Sequence, residues 1–157
     1  MVFRDIKNKI KFKYQKVKKG YCDYDLYDMD YWFIKTFPKM LGEFAKYTIG
    51  YPMTDGELQE EVEKMDKKWL NNQQLPLIDI RRKHTSDFDS RDDMSCWILI
   101  LLRMKHCFEL CDEWNPYYEG KYRGKDAESY KKMNNEIENY KKEAFYLFEK
   151  YFFHLWW

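Results

Sequence analysis

The sequence predicts an all-α protein, a single domain (residues 1–157) of about five helices packed as a bundle. Three observations point there. Apolar residues recur at three- and four-residue spacing, and no stretch alternates convincingly as a strand would. Helix start and stop signals bracket the periodic segments. At 157 residues, with 45% apolar and 35% charged residues, the chain has the length and composition of one globular domain.

The first element spans residues 2–18. Phe3, Ile6, Ile10 and Val17 mark one face, Lys7, Lys9, Lys11, Lys13, Lys16, Lys18 and Lys19 surround it, and Gly20 closes it. A basic amphipathic helix is ordinarily a solvated outer face. The sharper reading is a contact with nucleic acid or with an acidic protein surface. The net charge of +1 lends that no general support, so direct nucleic-acid binding is not implied.

Residues 25–52 are the stretch around which the rest is expected to organise. Asp28 is a good N-cap and Asp30 suits the positive end of the helix dipole. Tyr31, Trp32, Phe33, Ile34, Phe37, Met40, Leu41 and Phe44 cover more than one face, which predicts a largely buried helix. Pro38 predicts a kink near Ile34 or a break at Phe37, and Gly50 with Pro52 predicts a left-handed stop. Asp23, Asp25, Asp28 and Asp30 could instead form a metal-binding edge, but caps and turns use Asp in the same way.

Thr54 and Glu57 read as a capping box opening a helix with Leu58, Val62, Met65 and Trp69 inside. Its outer face is Glu60, Glu61, Glu63, Lys64, Lys67 and Lys68. Residues 73–89 connect onward and carry the basic cluster Arg81, Arg82, Lys83 and His84. Ser90 and Asp93 start the next helix, whose stripe Met94, Trp97, Ile98, Leu101, Met104 and Phe108 runs to about Trp114. Asn115-Pro116 ends it, and the loop YYEGKYRGKD follows. The last helix covers about residues 127–156, where Tyr130, Met133, Ile137, Tyr140, Ala144, Phe145, Phe148, Tyr151, Phe152 and Leu155 repeat at three- and four-residue spacing, and Phe145, Phe148, Phe152 and Leu155 can share one inward face. Tyr146, Phe153, Trp156 and Trp157 cannot all join them. The 28–49 helix, or a partner, is expected to cover this face, with Trp156 and Trp157 partly exposed.

Four cysteines, polar and basic first residues, and the absence of an apolar run near the about 20 residues of a membrane span predict a soluble cytosolic protein with free thiols. No membrane partner is expected. No catalytic residue, cofactor or metal site is assigned: phosphate loops, nucleophile elbows, H-E-x-x-H and C-x-x-C are all absent. Cys107 and Cys111, with Cys96 and His84, are a weak zinc set beside the simpler reading of buried thiols. Glu60, Glu61, Glu63 and Asp66, with Glu109, Asp112, Glu113 or Glu43, would be needed for a Mg-dependent nucleotide hydrolase of all-α type. Their spacing does not reproduce that family's motif.

Three blocks, YDMDYWFIKTFPKMLGEFAKYTIGYP, CWILILLRMKHCFEL and LFEKYFFHLWW, cover about a third of the chain. Together they resemble a widespread family of small helical proteins encoded by bacteriophages. That family pairs a Trp/Leu-Asp helix containing Pro-Arg-Leu and ending in Gly-Tyr-Pro with a later helix closing on Phe-Glu-Leu. It finishes on a Leu-Phe, Tyr-Phe, Leu-Trp block. This chain departs from it at Lys39, where Arg is usual, at Tyr27 in the Trp position, and at Trp157, where an acid is usual. The resemblance implies a phage setting inside an infected bacterium. It implies no activity and transfers no functional residue.

Fourteen Tyr and six Trp exceed what a small core needs, so some should lie on a binding surface. The leading expectation is a phage accessory protein that binds and inhibits a host defence system without catalysis. The expected target is a protein or ribonucleoprotein of the CRISPR effector nuclease class. Arg81, Arg82, Lys83, Tyr117, Tyr118, Tyr122, Arg123, Trp156 and Trp157 are the expected partner-binding residues, and a homo-oligomer is a further expectation. The alternatives are the hydrolase, a nucleotide-sequestering protein and a virion or assembly component.

Overall fold

The computed structural model describes residues 2–54, 56–73 and 93–155, with side chains from residue 6. Arg81, Arg82, Lys83, His84, Ser90, Trp156 and Trp157 lie outside the described residues. The protein is all-α; among the described residues there is no strand. Among the described residues, six α-helices follow in order: α1 (Val2–Lys19), α2 (Met29–Tyr47), α3 (Glu57–Glu63), α4 (Lys67–Asn71), α5 (Asp93–Glu109) and α6 (Ala127–Tyr151). Contacts divide the chain into two compact units, Met1–Thr36 and Phe37–Trp157.

In the first unit, α1 ends where Gly20 takes a φ of 81° and its N–H donates to the Lys16 carbonyl at 2.9 Å. A 3₁₀ turn, Asp23–Leu26, then folds back on α1. The Asp23 N–H donates to Gln15 Oε1 at 3.1 Å, and its carboxylate meets Lys11 Nζ at 2.7 Å. Asp25 accepts the Cys22 N–H at 2.8 Å and pairs with Lys16 at 3.2 Å. Two of the four acids proposed as a metal edge are therefore engaged with lysines and backbone. Asp28 occupies the N-cap position, its carbonyl accepting the Trp32 N–H at 2.8 Å.

The second unit differs from expectation in its centre. α2 buries only Pro38, Leu41 and Ala45. Lys35, Lys39, Glu43 and Lys46 interrupt its apolar faces, and Met40 is exposed. The core helix is instead α5, in which Trp97, Ile100, Leu101, Met104 and Phe108 are fully buried. No charge interrupts it between Asp93 and Arg103, so it is apolar all round and must be surrounded. Nor does α2 break at Phe37: the helix is continuous through Pro38. Gly42 lets the Lys105 side chain lie close, within 3.1 Å of where a Cβ would stand.

Helix ends depart from the sequence expectation in four places. Gly50 does not adopt a positive φ; α2 ends as the Thr48 hydroxyl donates to the Gly50 carbonyl at 2.9 Å. The N-cap of α3 is Gly56, at φ 84°, and not Thr54, because the helix starts at Glu57 and leaves no place for the box. The expected single helix through Trp69 is two short ones, because Asp66 accepts the Trp69 N–H at 2.7 Å and starts α4. α5 stops at Glu109, about a turn before Trp114, where Asp112 and Asn115 take up backbone N–H groups.

α6 opens on Asp126, which accepts the Ser129 N–H at 2.8 Å. Its buried face is Met133, Ile137, Ala144, Leu147 and Tyr151. The expected inward residues Phe145 and Phe152 are exposed, and a 3₁₀ turn, Phe152–His154, replaces the final helical turns. Phe148 is half-buried and packs edge-on against Phe37 of α2 at 5.1 Å, so α2 does reach this face. No described helix is long and apolar enough to cross a membrane.

Candidate functional site

The loop between α5 and α6 brings four of the expected binding residues together. A 3₁₀ turn, Pro116–Tyr118, is capped by Asn115, whose side chain accepts the Tyr117 N–H and donates to the Glu109 carbonyl at 2.8 Å. Gly120 and Gly124 both take a φ of 72°, which the tight turns of this loop require.

Glu136, on α6, organises the loop. Its carboxylate accepts the Tyr117 hydroxyl at 2.7 Å, the Tyr122 hydroxyl at 2.7 Å and Lys121 Nζ at 3.0 Å. Lys121 Nζ also donates to the Tyr117 hydroxyl at 2.6 Å and stands 4.3 Å from that ring's centre. Burial would raise the Glu136 carboxyl, but these three donors outweigh it and hold it below its ordinary range. Burial likewise opposes the charge on Lys121, and the Tyr117 and Glu136 partners override it, raising its pKa. The lysine is a firmly protonated cation, suited to binding and not to acting as a base.

Tyr118 is a correction. It is fully buried against Leu110, Met133 and Ile137, and its hydroxyl donates to the Leu110 carbonyl at 2.7 Å. Its ring packs edge-on against Tyr117 at 5.1 Å. Tyr118 anchors the loop and is not available to a partner. Tyr122 is half-buried and contributes through Glu136.

The outward part is built from the exposed Trp114 and Tyr117 and the half-buried Arg123. The Arg123 guanidinium stacks over the Trp114 ring at 4.4 Å, and its Nη2 donates to the Glu113 carbonyl. Trp114 remains 65% exposed and Tyr117 41%. Trp114, Lys121 and Glu136 were missed from sequence. Trp114 had been assigned to the end of a helix, and Glu136 is one acid among several on α6. The spacing of Glu136 beside Met133, Ile137 and Tyr140 was the one signal that it faces inward.

Other chemistry-bearing side chains are engaged inside the unit. Glu61, assigned to a solvated face, is 5% exposed; it accepts Lys150 Nζ at 2.7 Å and the Tyr146 hydroxyl at 3.0 Å. Glu109 pairs with Lys105 at 2.8 Å, Glu43 with Lys46 at 2.7 Å, and Asp112 accepts the Trp114 N–H. These are four of the eight acids weighed for a Mg-dependent hydrolase. Cys107 and Cys111 are buried, with the Cys111 thiol donating to the Cys107 carbonyl at 3.2 Å. Burial raises both thiols, Cys111 to about 11, the opposite of an activated nucleophile. Among the described residues, no three His, Cys, Asp or Glu side chains gather as a metal site.

Compared with known proteins, the chain matches no family model, no curated protein and no solved structure.

Proposed function

We propose that this chain is a non-enzymatic binding protein whose partner surface is the Trp114–Arg123–Tyr117 face. The observation that carries the reading is the preorganisation of that face. Trp, Tyr and Arg dominate binding hot spots; here Glu136 and Lys121 hold Tyr117, Tyr118 anchors the loop, and Arg123 stacks on Trp114 and bonds the Glu113 carbonyl before any partner arrives. The resemblance to phage-encoded proteins supplies the setting: an accessory protein in the cytoplasm of an infected bacterium. There it occupies a surface of a host defence protein or ribonucleoprotein, with an effector nuclease of the CRISPR type as the leading target class.

Affinity capture from a bacterial host lysate tests this, with Trp114→Ala/Tyr117→Ala as the matched control. A host protein retained by the parent protein and lost with the folded control supports the reading. Turnover of nucleotides or cyclic oligonucleotides with Mg²⁺ by the purified protein would overturn it in favour of an enzyme.

Self-association is a second reading, favoured by the exposure of Phe145, Phe152 and Phe153 at the end of α6. Light scattering across a concentration series tests it. A constant monomer mass at all concentrations would remove it.

A further inference from the structure

We infer that α1 is a surface anchor for anionic phospholipid bilayers, lying in the headgroup region with its apolar stripe inserted. Ile6, Ile10, Tyr14 and Val17 follow one another at four- and three-residue steps, so they share one face. All four are exposed, Ile10 at 63% and Val17 at 89%. The opposite side of α1 is the one that folds against its own unit. There Phe12 packs on Tyr24 at 6.4 Å, Gln15 accepts the Asp23 N–H, and Lys11 meets Asp23.

Charge decides what covers the stripe. Lys9 and Lys13 lie along one side of it and Lys7 and Lys18 along the other. Lys18 stands 6.0 Å from the Tyr14 ring centre. Lysines flanking an apolar strip run their stems along it and place their ammonium groups at the level of lipid phosphates. A groove of about 410 Å³ adjoins the stripe. It shares Ile6 and Ile10 with the stripe and is lined also by Phe12, Lys9, Lys13 and the Lys16–Asp25 ion pair, so among the described residues its unpaired cations are Lys9 and Lys13. This pairing of apolar walls with cations suits an anionic amphiphile.

The other occupants fit less well. A nucleic-acid backbone would engage the lysines but offer nothing to Ile10 and Val17 at the centre of the stripe. A second copy would bring two lysine-flanked strips together, like charge against like. The inference does not depend on which protein the Trp114 face binds.

The test is co-flotation of the 157-residue protein with vesicles of phosphatidylcholine alone and of phosphatidylcholine mixed equally with phosphatidylglycerol. Binding is expected to the mixed vesicles only and to weaken as salt rises. Ile10→Gln/Val17→Gln is expected to reduce partitioning about tenfold or more. Both side chains are solvent-exposed, so the variant should keep its circular dichroism and melting temperature. Lys9→Gln/Lys13→Gln should weaken binding as well. Three results would overturn the inference: no binding to anionic vesicles, whether or not the protein retains a labelled oligonucleotide; binding that Ile10→Gln/Val17→Gln leaves unchanged; or a dimer, lost in that variant, in a protein that ignores vesicles.

Discussion

Arg103 of α5 and Glu143 of α6 meet through two parallel hydrogen bonds, Nε to Oε1 at 2.6 Å and Nη2 to Oε2 at 2.7 Å. The arginine side chain is only 9% exposed, and its guanidinium also lies over the Trp69 ring at 5.1 Å. Removing one partner strands a charge inside the helix packing. Glu143→Ala is therefore expected to cost about 3 kcal/mol by urea denaturation, tempered by the partial exposure of the carboxylate. Arg103→Met/Glu143→Leu should recover most of that loss. Equal instability of the single and double variants would show that shape, not charge, holds this contact.

His106 lies between the Trp69 ring at 5.8 Å and the Tyr140 ring at 6.0 Å. Burial, and then the Arg103 charge, lower its pKa below the ordinary 6.5, against weaker opposing pulls from Glu109 and Glu143. The unfolded chain thus takes up a proton here before the folded one does. The stability due to neutral His106 is full above pH 6.5 and is lost as pH falls through the lowered folded value. Melting temperatures measured between pH 7.5 and pH 5.5, an interval of about two units around the ordinary histidine value, should fall for the parent protein. They should fall less for His106→Phe. An identical decline in both would assign the effect elsewhere.

Much of the helical layout was legible in the sequence, because periodicity, Gly20 and Asp28 are local signals. The inner face of α6 was partly legible: Met133, Ile137, Ala144 and Tyr151 of the periodic stripe are buried, whereas Phe145 and Phe152 of the same stripe stay exposed, Phe145 with its ring edge-on to Phe108 of α5. Glu61 was unreadable: its burial depends on Lys150 and Tyr146, far away in sequence. The candidate site was half legible. The tyrosine-rich loop announced itself, but the role of Tyr118 depended on the Leu110 carbonyl and that of Tyr117 on Glu136.

The four cysteines are all buried, and none is in a disulfide. An aromatic disulfide reagent at neutral pH should react slowly with the native protein, at the rate at which the chain opens, and fully in denaturant. Rapid titration of one thiol per chain under native conditions would identify a reactive cysteine and reopen a catalytic reading.

Tyr118 and Tyr117 should separate stability from binding. Tyr118→Phe leaves the buried Leu110 carbonyl without its donor and is expected to cost about 1–2 kcal/mol. Tyr117→Phe, at an exposed site, should cost less than about 0.5 kcal/mol while releasing one bond to Glu136. Hydrogen exchange should then show faster opening of residues 117–125 in the Tyr117 variant, with the helices unchanged. Unchanged loop protection would mean that Glu136 does not organise the loop.

The most direct measurement is the affinity of the captured partner for single alanine variants at Trp114, Arg123 and Tyr117, by calorimetry. A surface centred on the Trp114–Arg123 stack predicts a loss of about 2 kcal/mol or more for Trp114→Ala, roughly thirtyfold in Kd, with smaller losses at the other two and an unchanged melting temperature. Full affinity in all three variants would contradict a binding role for this face.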